Sequence, residues 1–141
     1  SEDKHYVDSW LNNSPAASRV KFHGRLDPNT SWDFAKGAWV GLTFLEPTPA
    51  FIEAVPSKLY EYAYAGLAII SSPLPRCVEL INESGSGIIA QSDEGAANVL
   101  NSWAANQDAL LNIRKKAQHW AKDVLNPDAQ YDGLRQVVEG L

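Results

Sequence analysis

The spacing of apolar residues changes period several times along the chain, and each change predicts an element. Tyr6, Val7, Trp10 and Leu11 recur at helical spacing within a polar segment, residues 1–19, so a short amphipathic helix is expected there. Val20-Lys21-Phe22-His23 has strand length and closes at Gly24. Thr30 or Ser31 is placed to cap a short helix over Trp32–Lys36, with Gly37 as its stop. Trp39-Val40-Gly41-Leu42-Thr43-Phe44-Leu45 is a continuous apolar run, the pattern of a parallel strand covered on both faces. A loop holding Pro47 and Pro49 follows, and Pro56 fits the first position of the next helix, which ends at Gly66. Leu67–Ser71 reads as a buried strand, and Pro75 opens a helix carrying Val78, Leu80 and Ile81 that stops near Gly85. Ile88-Ile89-Ala90 is a short strand, and the pattern is helical from Asp93 onward. Leu110, Ile113, Ala117, Trp120 and Val124 share one face of a helix capped by Asn106. Asn126-Pro127 then opens a last helix with Tyr131, Leu134, Val138 and Leu141 on one stripe.

Strands alternating with helices imply an α/β fold: a parallel sheet flanked by helices, joined by right-handed crossovers, with a helical C-terminus. The expected architecture is one Rossmann-like domain over residues 1–141, in which 1–19 form a polar N-terminal segment. In such sheets ligands bind beyond the carboxyl ends of the strands. The loops there are Gly24–Asn29, Glu46–Pro56 and Ser71–Arg76.

Composition narrows the function classes. A net charge of −5 argues against a nucleic-acid surface, which needs clustered Lys and Arg. The single cysteine, Cys77, excludes an intrachain disulfide and fits a reducing cytoplasm; it reads as a small helix hydrophobe. His5, His23 and His119 lack partners at zinc spacing, so no metal or cofactor is expected. No apolar run reaches the ~20 residues that span a bilayer. The five tryptophans read as core or interface anchors, and Tyr60, Tyr62 and Tyr64 as packing spread around a helix. The chain contains no methionine, so it is expected to be an excised domain or processed fragment.

The segment 56–72 carries the candidate chemistry. A lysine at a helix start is unfavourable against the helix dipole unless an anion lies there, so Lys58 points to a phosphate. Glu61, one turn further, is placed to accept hydrogen bonds from a pair of sugar hydroxyls. The run Pro56-Ser57-Lys58-Leu59-Tyr60-Glu61-Tyr62-Ala63-Tyr64-Ala65-Gly66-Leu67-Ala68-Ile69-Ile70 resembles the P-N-K-L-F-E-Y-x-A-x-G-x-P-V-I signature of the group 1 (family 4) glycosyltransferases. Glu53 and Glu61, seven residues between them, match that family's E-x7-E motif. Residues 20–26, Glu79–Ile81 and Gly85–Ile89 are similar as well, so the resemblance covers roughly residues 20–141.

The resemblance implies the C-terminal, nucleotide-sugar-binding half of a two-domain GT-B enzyme that is retaining and metal-independent. Its partners would be a nucleotide sugar, an N-terminal acceptor domain absent from this chain, and a glycan or lipid-linked acceptor, as in polysaccharide assembly. It places the protein in the cytoplasm, peripheral to the inner face of the membrane. Glu61 would clamp the ribose, and Glu53 would be the catalytic carboxylate that touches the donor sugar, with Glu46 as the other candidate. Arg25 and Leu26 would lie beside the base. The sequence departs from the family in Ala54-Val55-Pro56-Ser57, which replaces a glycine-rich stretch; Pro56 has no N–H to donate, so the amides of Ser57 and Lys58 would meet the diphosphate. Segment 1–19 lacks the family's opening strand-helix-strand unit, so the isolated chain is expected to be inactive. A sugar-nucleotide epimerase domain and a degenerate, non-catalytic binding or scaffold module are the alternatives.

Overall fold

The computed structural model describes residues 2–54 and 57–124. Pro56 and the predicted helix from Asn126 lie outside the described residues. The backbone divides into two units, Ser1–Ser31 and Trp32–Leu141.

In the first unit, α1 (Glu2–Asn13) is helical over the segment where Tyr6, Val7, Trp10 and Leu11 predicted it, but it buries no residue. A short 3-10 turn, Ala17–Arg19, follows. The strand expected over residues 20–23 is not formed. Val20 has extended backbone, φ −114° and ψ 129°, but the segment joins no ladder. Its apolar side chains remain outside: Val20 and Phe22 are 47% and 59% exposed. The Val20 amide donates instead to the Ala17 carbonyl at 3.1 Å, and with Val20 and Phe22 left exposed the run gains neither a ladder nor an apolar cover.

α2 (Pro28–Gly37) crosses the boundary between the units and begins earlier than expected. Its cap is neither Thr30 nor Ser31. Asp27 accepts a hydrogen bond from the Thr30 amide at 3.1 Å and another from the Thr30 hydroxyl. Pro28, fixed near helical φ, then occupies the first turn. These two Thr30 hydrogen bonds, side chain first, hold the Asp27 carboxyl below its ordinary 3.8.

The second unit is the α/β body. Its sheet has three parallel strands in the order β1 (Val40–Thr43), β2 (Ala68–Ser71), β3 (Gly87–Ile89). Val40 faces Ala68, and Ile69 faces Gly87. Two helices link β1 to β2: a single turn, α3 (Pro49–Ile52), in the segment expected to be loop, and α4 (Ser57–Tyr64). α5 (Pro75–Ser84) links β2 to β3 and ends at Gly85 as predicted. α6 (Asp93–Ala105) and α7 (Gln107–Val124) complete the described residues. The Ser92 hydroxyl caps α6, and Asn106 caps α7 by accepting from the Ala109 amide at 3.1 Å.

β2 is the middle strand and is buried along its whole length. Its alternation divides the core. Ile69 joins Leu59, Ala63, Cys77, Leu80, Ile81, Ala117 and Ala121 from α4, α5 and α7. Ala68 and Ile70 point the other way, toward Ala96, Trp103 and Leu110. Each large side chain buried completely, such as Leu59 or Ile69, is worth about 1.5–3 kcal/mol. Helices therefore cover both faces of β2, which explains its unbroken apolar run. β3 approaches so closely that a Cβ on Gly87 would lie 2.0 Å from the Ile69 carbonyl oxygen; glycine there is a condition of the pairing.

Candidate functional site

The parallel order places the start of α4, and the start of α5, beyond the carboxyl ends of the strands. Backbone–side-chain bonds tie that edge together. Ser72 donates its amide to the Thr43 carbonyl, and its hydroxyl accepts from the Leu45 amide at 3.1 Å. The completely buried Ser71 hydroxyl donates to the Ser72 carbonyl at 3.2 Å. The loops after β1 and β2 are thus joined.

α4 sits on the sheet through two opposite devices. Leu59 and Ala63 are fully buried beneath it. Tyr62 lies over Gly41 of β1, where an added Cβ would come within 2.4 Å of the ring, and its hydroxyl donates to the Leu42 carbonyl at 3.3 Å. With those residues turned inward, Ser57, Lys58 and Glu61 face solvent.

Lys58 and Glu61 are brought together. The Lys58 ammonium donates to a Glu61 carboxylate oxygen at 3.1 Å, with the two side chains 63% and 49% exposed. The helix-start lysine is therefore matched by a carboxylate one turn on, rather than standing alone against the helix dipole. An exposed pair of this kind is worth about 0.3–0.5 kcal/mol, so breaking it costs little. Arg76, at the start of α5, makes the same arrangement with Glu79 at 2.9 Å.

Glu53 is exposed and ends α3 with φ −97° and ψ −1°. Glu46 is exposed in the loop between β1 and α3, and its carbonyl accepts from the Thr48 amide at 2.7 Å. Arg25, exposed, and Leu26, half-buried, belong to the first unit, whereas Glu53, Ser57, Lys58 and Glu61 belong to the second. Cys77 is 1% exposed within the core, so its thiol is packing, as its sequence context predicts.

The described residues contain no group of three or more His, Cys, Asp or Glu arranged to hold a metal ion. No helix among them is long and apolar enough to cross a membrane. Comparison with protein-family models, curated proteins and solved structures returns no match.

One cluster was not read from the sequence. Arg114, Gln118 and Lys122 fall at i, i+4 and i+8 on α7, the spacing of one helical face. Arg114 Nε donates to the Gly66 carbonyl at 2.9 Å, and its guanidinium lies 5.2 Å from the centre of the Trp39 ring. Gly66, at φ +74°, turns the chain from α4 into β2, and a Cβ there would strike Gln118. The sequence marks only the apolar face of α7; the turn that Arg114 grips lies 48 residues away, which no local pattern reports.

Proposed function

We propose that this chain is the donor-nucleotide-binding part of a retaining, metal-independent glycosyltransferase of the two-domain GT-B kind. The observation that carries the reading is the start of α4, where Lys58 and Glu61 stand exposed and adjacent at the carboxyl edge of a parallel sheet. In this proposal the Ser57 and Lys58 amides and the Lys58 ammonium meet the diphosphate of a nucleoside-diphosphate sugar. Glu61 accepts hydrogen bonds from the ribose hydroxyls, and Glu53 or Glu46 orients the sugar. A separate N-terminal domain supplies the glycan or lipid-linked acceptor, and the enzyme works at the inner face of the membrane.

The Lys58–Glu61 ion pair also favours a second reading, a non-catalytic module of the same descent, because each residue already has a partner without ligand. Calorimetric titration with UDP, GDP and ADP decides. The donor reading expects saturable binding of one nucleotide, weakened about tenfold or more by Glu61→Ala. A folded chain that binds none of the three supports the non-catalytic module.

A further inference from the structure

The opposite edge of the sheet carries a second candidate surface. Trp39 immediately precedes β1 and Gly66 precedes β2, so both lie at the amino ends of the strands. From there a continuous set of contacts can be traced. Arg114 joins Trp39 to the Gly66 turn, and Gln118 packs against that turn. Gln118, Lys122, Ala121 and Tyr64 line an open depression of about 290 Å³. The Tyr64 ring lies 5.7 Å from Trp32, over which the Lys36 ammonium sits at 5.9 Å.

Two properties distinguish this surface. Among the described residues, neither Lys36, Arg114 nor Lys122 meets a carboxylate; Lys36 lies over the Trp32 ring, and Arg114 meets the Trp39 ring and the Gly66 carbonyl. Arg114 is moreover half-buried, where a guanidinium without a counter-charge is unusual. In a chain of net charge −5, this is a local concentration of positive charge interleaved with aromatic rings. The Tyr64 ring, 60% exposed, offers an apolar face with a hydroxyl at its tip, beside an amide and an ammonium.

We infer that the depression beside Tyr64, Gln118 and Lys122 binds an acidic oligosaccharide. The apolar face of a sugar ring lies on Tyr64, its hydroxyls bond to Gln118, and its carboxylate meets Lys122, with Arg114 and Lys36 setting a positive field on either side. The volume of about 290 Å³ stands at the lower end of small-ligand pockets, which begin at about 300 Å³, and suits one sugar ring with the rest of the chain outside. The single ammonium on the lining, Lys122, suits one carboxylate, while a chain of net charge −5 disfavours a long polyanion such as a nucleic acid. This surface is separate from the α4 start, and its test does not involve a nucleoside diphosphate.

The experiment is an amide and indole chemical-shift titration of the chain with trigalacturonate, alongside maltotriose, an oligothymidylate and phosphatidylglycerol vesicles. Trigalacturonate at millimolar concentration should shift the Tyr64, Gln118 and Lys122 amides and the Trp32 indole, more strongly than maltotriose. Tyr64→Ala and Lys122→Glu, both at exposed positions, should each weaken binding about tenfold while the remaining spectrum stays in place. Absence of these shifts, equal binding of maltotriose, binding indifferent to both variants, or shifts produced only by oligothymidylate or vesicles would overturn the inference.

Discussion

The two edges of the parallel sheet hold charge in different ways. At the carboxyl edge, Lys58 meets Glu61 and Arg76 meets Glu79, each pair on its own helix and in solvent. At the amino edge, half-buried Arg114 meets a carbonyl and an aromatic ring from distant segments. The first arrangement contributes little to stability and is easily broken; the second fastens α7 to the entrance of β2. The comparison teaches that a charged side chain's place in the sheet matters more than its count: exposed pairs are available, and half-buried bridges are structural.

The largest expected effect is at the amino edge. Gly66→Val forces a β-branched residue to φ +74° and drives its side chain into Gln118, which should destabilise the second unit by about 3 kcal/mol in urea unfolding. A loss below about 1 kcal/mol would mean that the Gly66 turn does not fasten the two elements. Next, Arg114→Met should cost about 1.5 kcal/mol through its lost bond to the Gly66 carbonyl and its contact with Trp39, whereas Lys58→Met should cost less than about 0.5 kcal/mol. Equal costs would erase the distinction between the edges. A double-mutant cycle on Lys58 and Glu61 should return a coupling of about 0.3–0.5 kcal/mol that vanishes in high salt.

The smallest effect is local to α2. Because its hydrogen bonds hold the folded Asp27 carboxyl below 3.8, its capping contribution is present above that value and lost as pH falls through the lower folded one. Asp27→Asn should retain the cap and remove this acid dependence, read as helicity against pH. An unchanged acid dependence would place the titration elsewhere.

Much of the second unit was legible in the sequence because its elements carry local punctuation. Pro75 and Gly85 bracket α5, Asn106 caps α7, and the apolar run 67–71 marks the buried middle strand. The Trp39–Leu45 run was legible as a strand, though only Val40–Thr43 pairs with β2. Failures came where a partner decides the outcome. Val20–His23 looks like a strand, but a strand is a property of a pair, and it has no ladder. Asp27 outcompetes Thr30 and Ser31 as cap because Pro28 sets the first turn one residue after it. Of the tryptophans, Trp103 is core, while Trp39 is 47% exposed and committed to Arg114, a contact that no spacing announces. At the carboxyl edge, the sequence indicated that Lys58 and Glu61 share a helix start; that they pair with each other depends on rotamers, which spacing leaves open.

The central proposal is that the start of α4, and not the amino edge, is the nucleotide site. Backbone chemical-shift mapping of the chain with UDP, GDP and ADP tests it most directly. The account predicts that one nucleotide shifts the amides of Ser57, Lys58 and Glu61 and leaves those of Gly66, Arg114 and Lys122 in place. Shifts centred on Gly66, Arg114 and Lys122, or none with any of the three nucleotides, would contradict it.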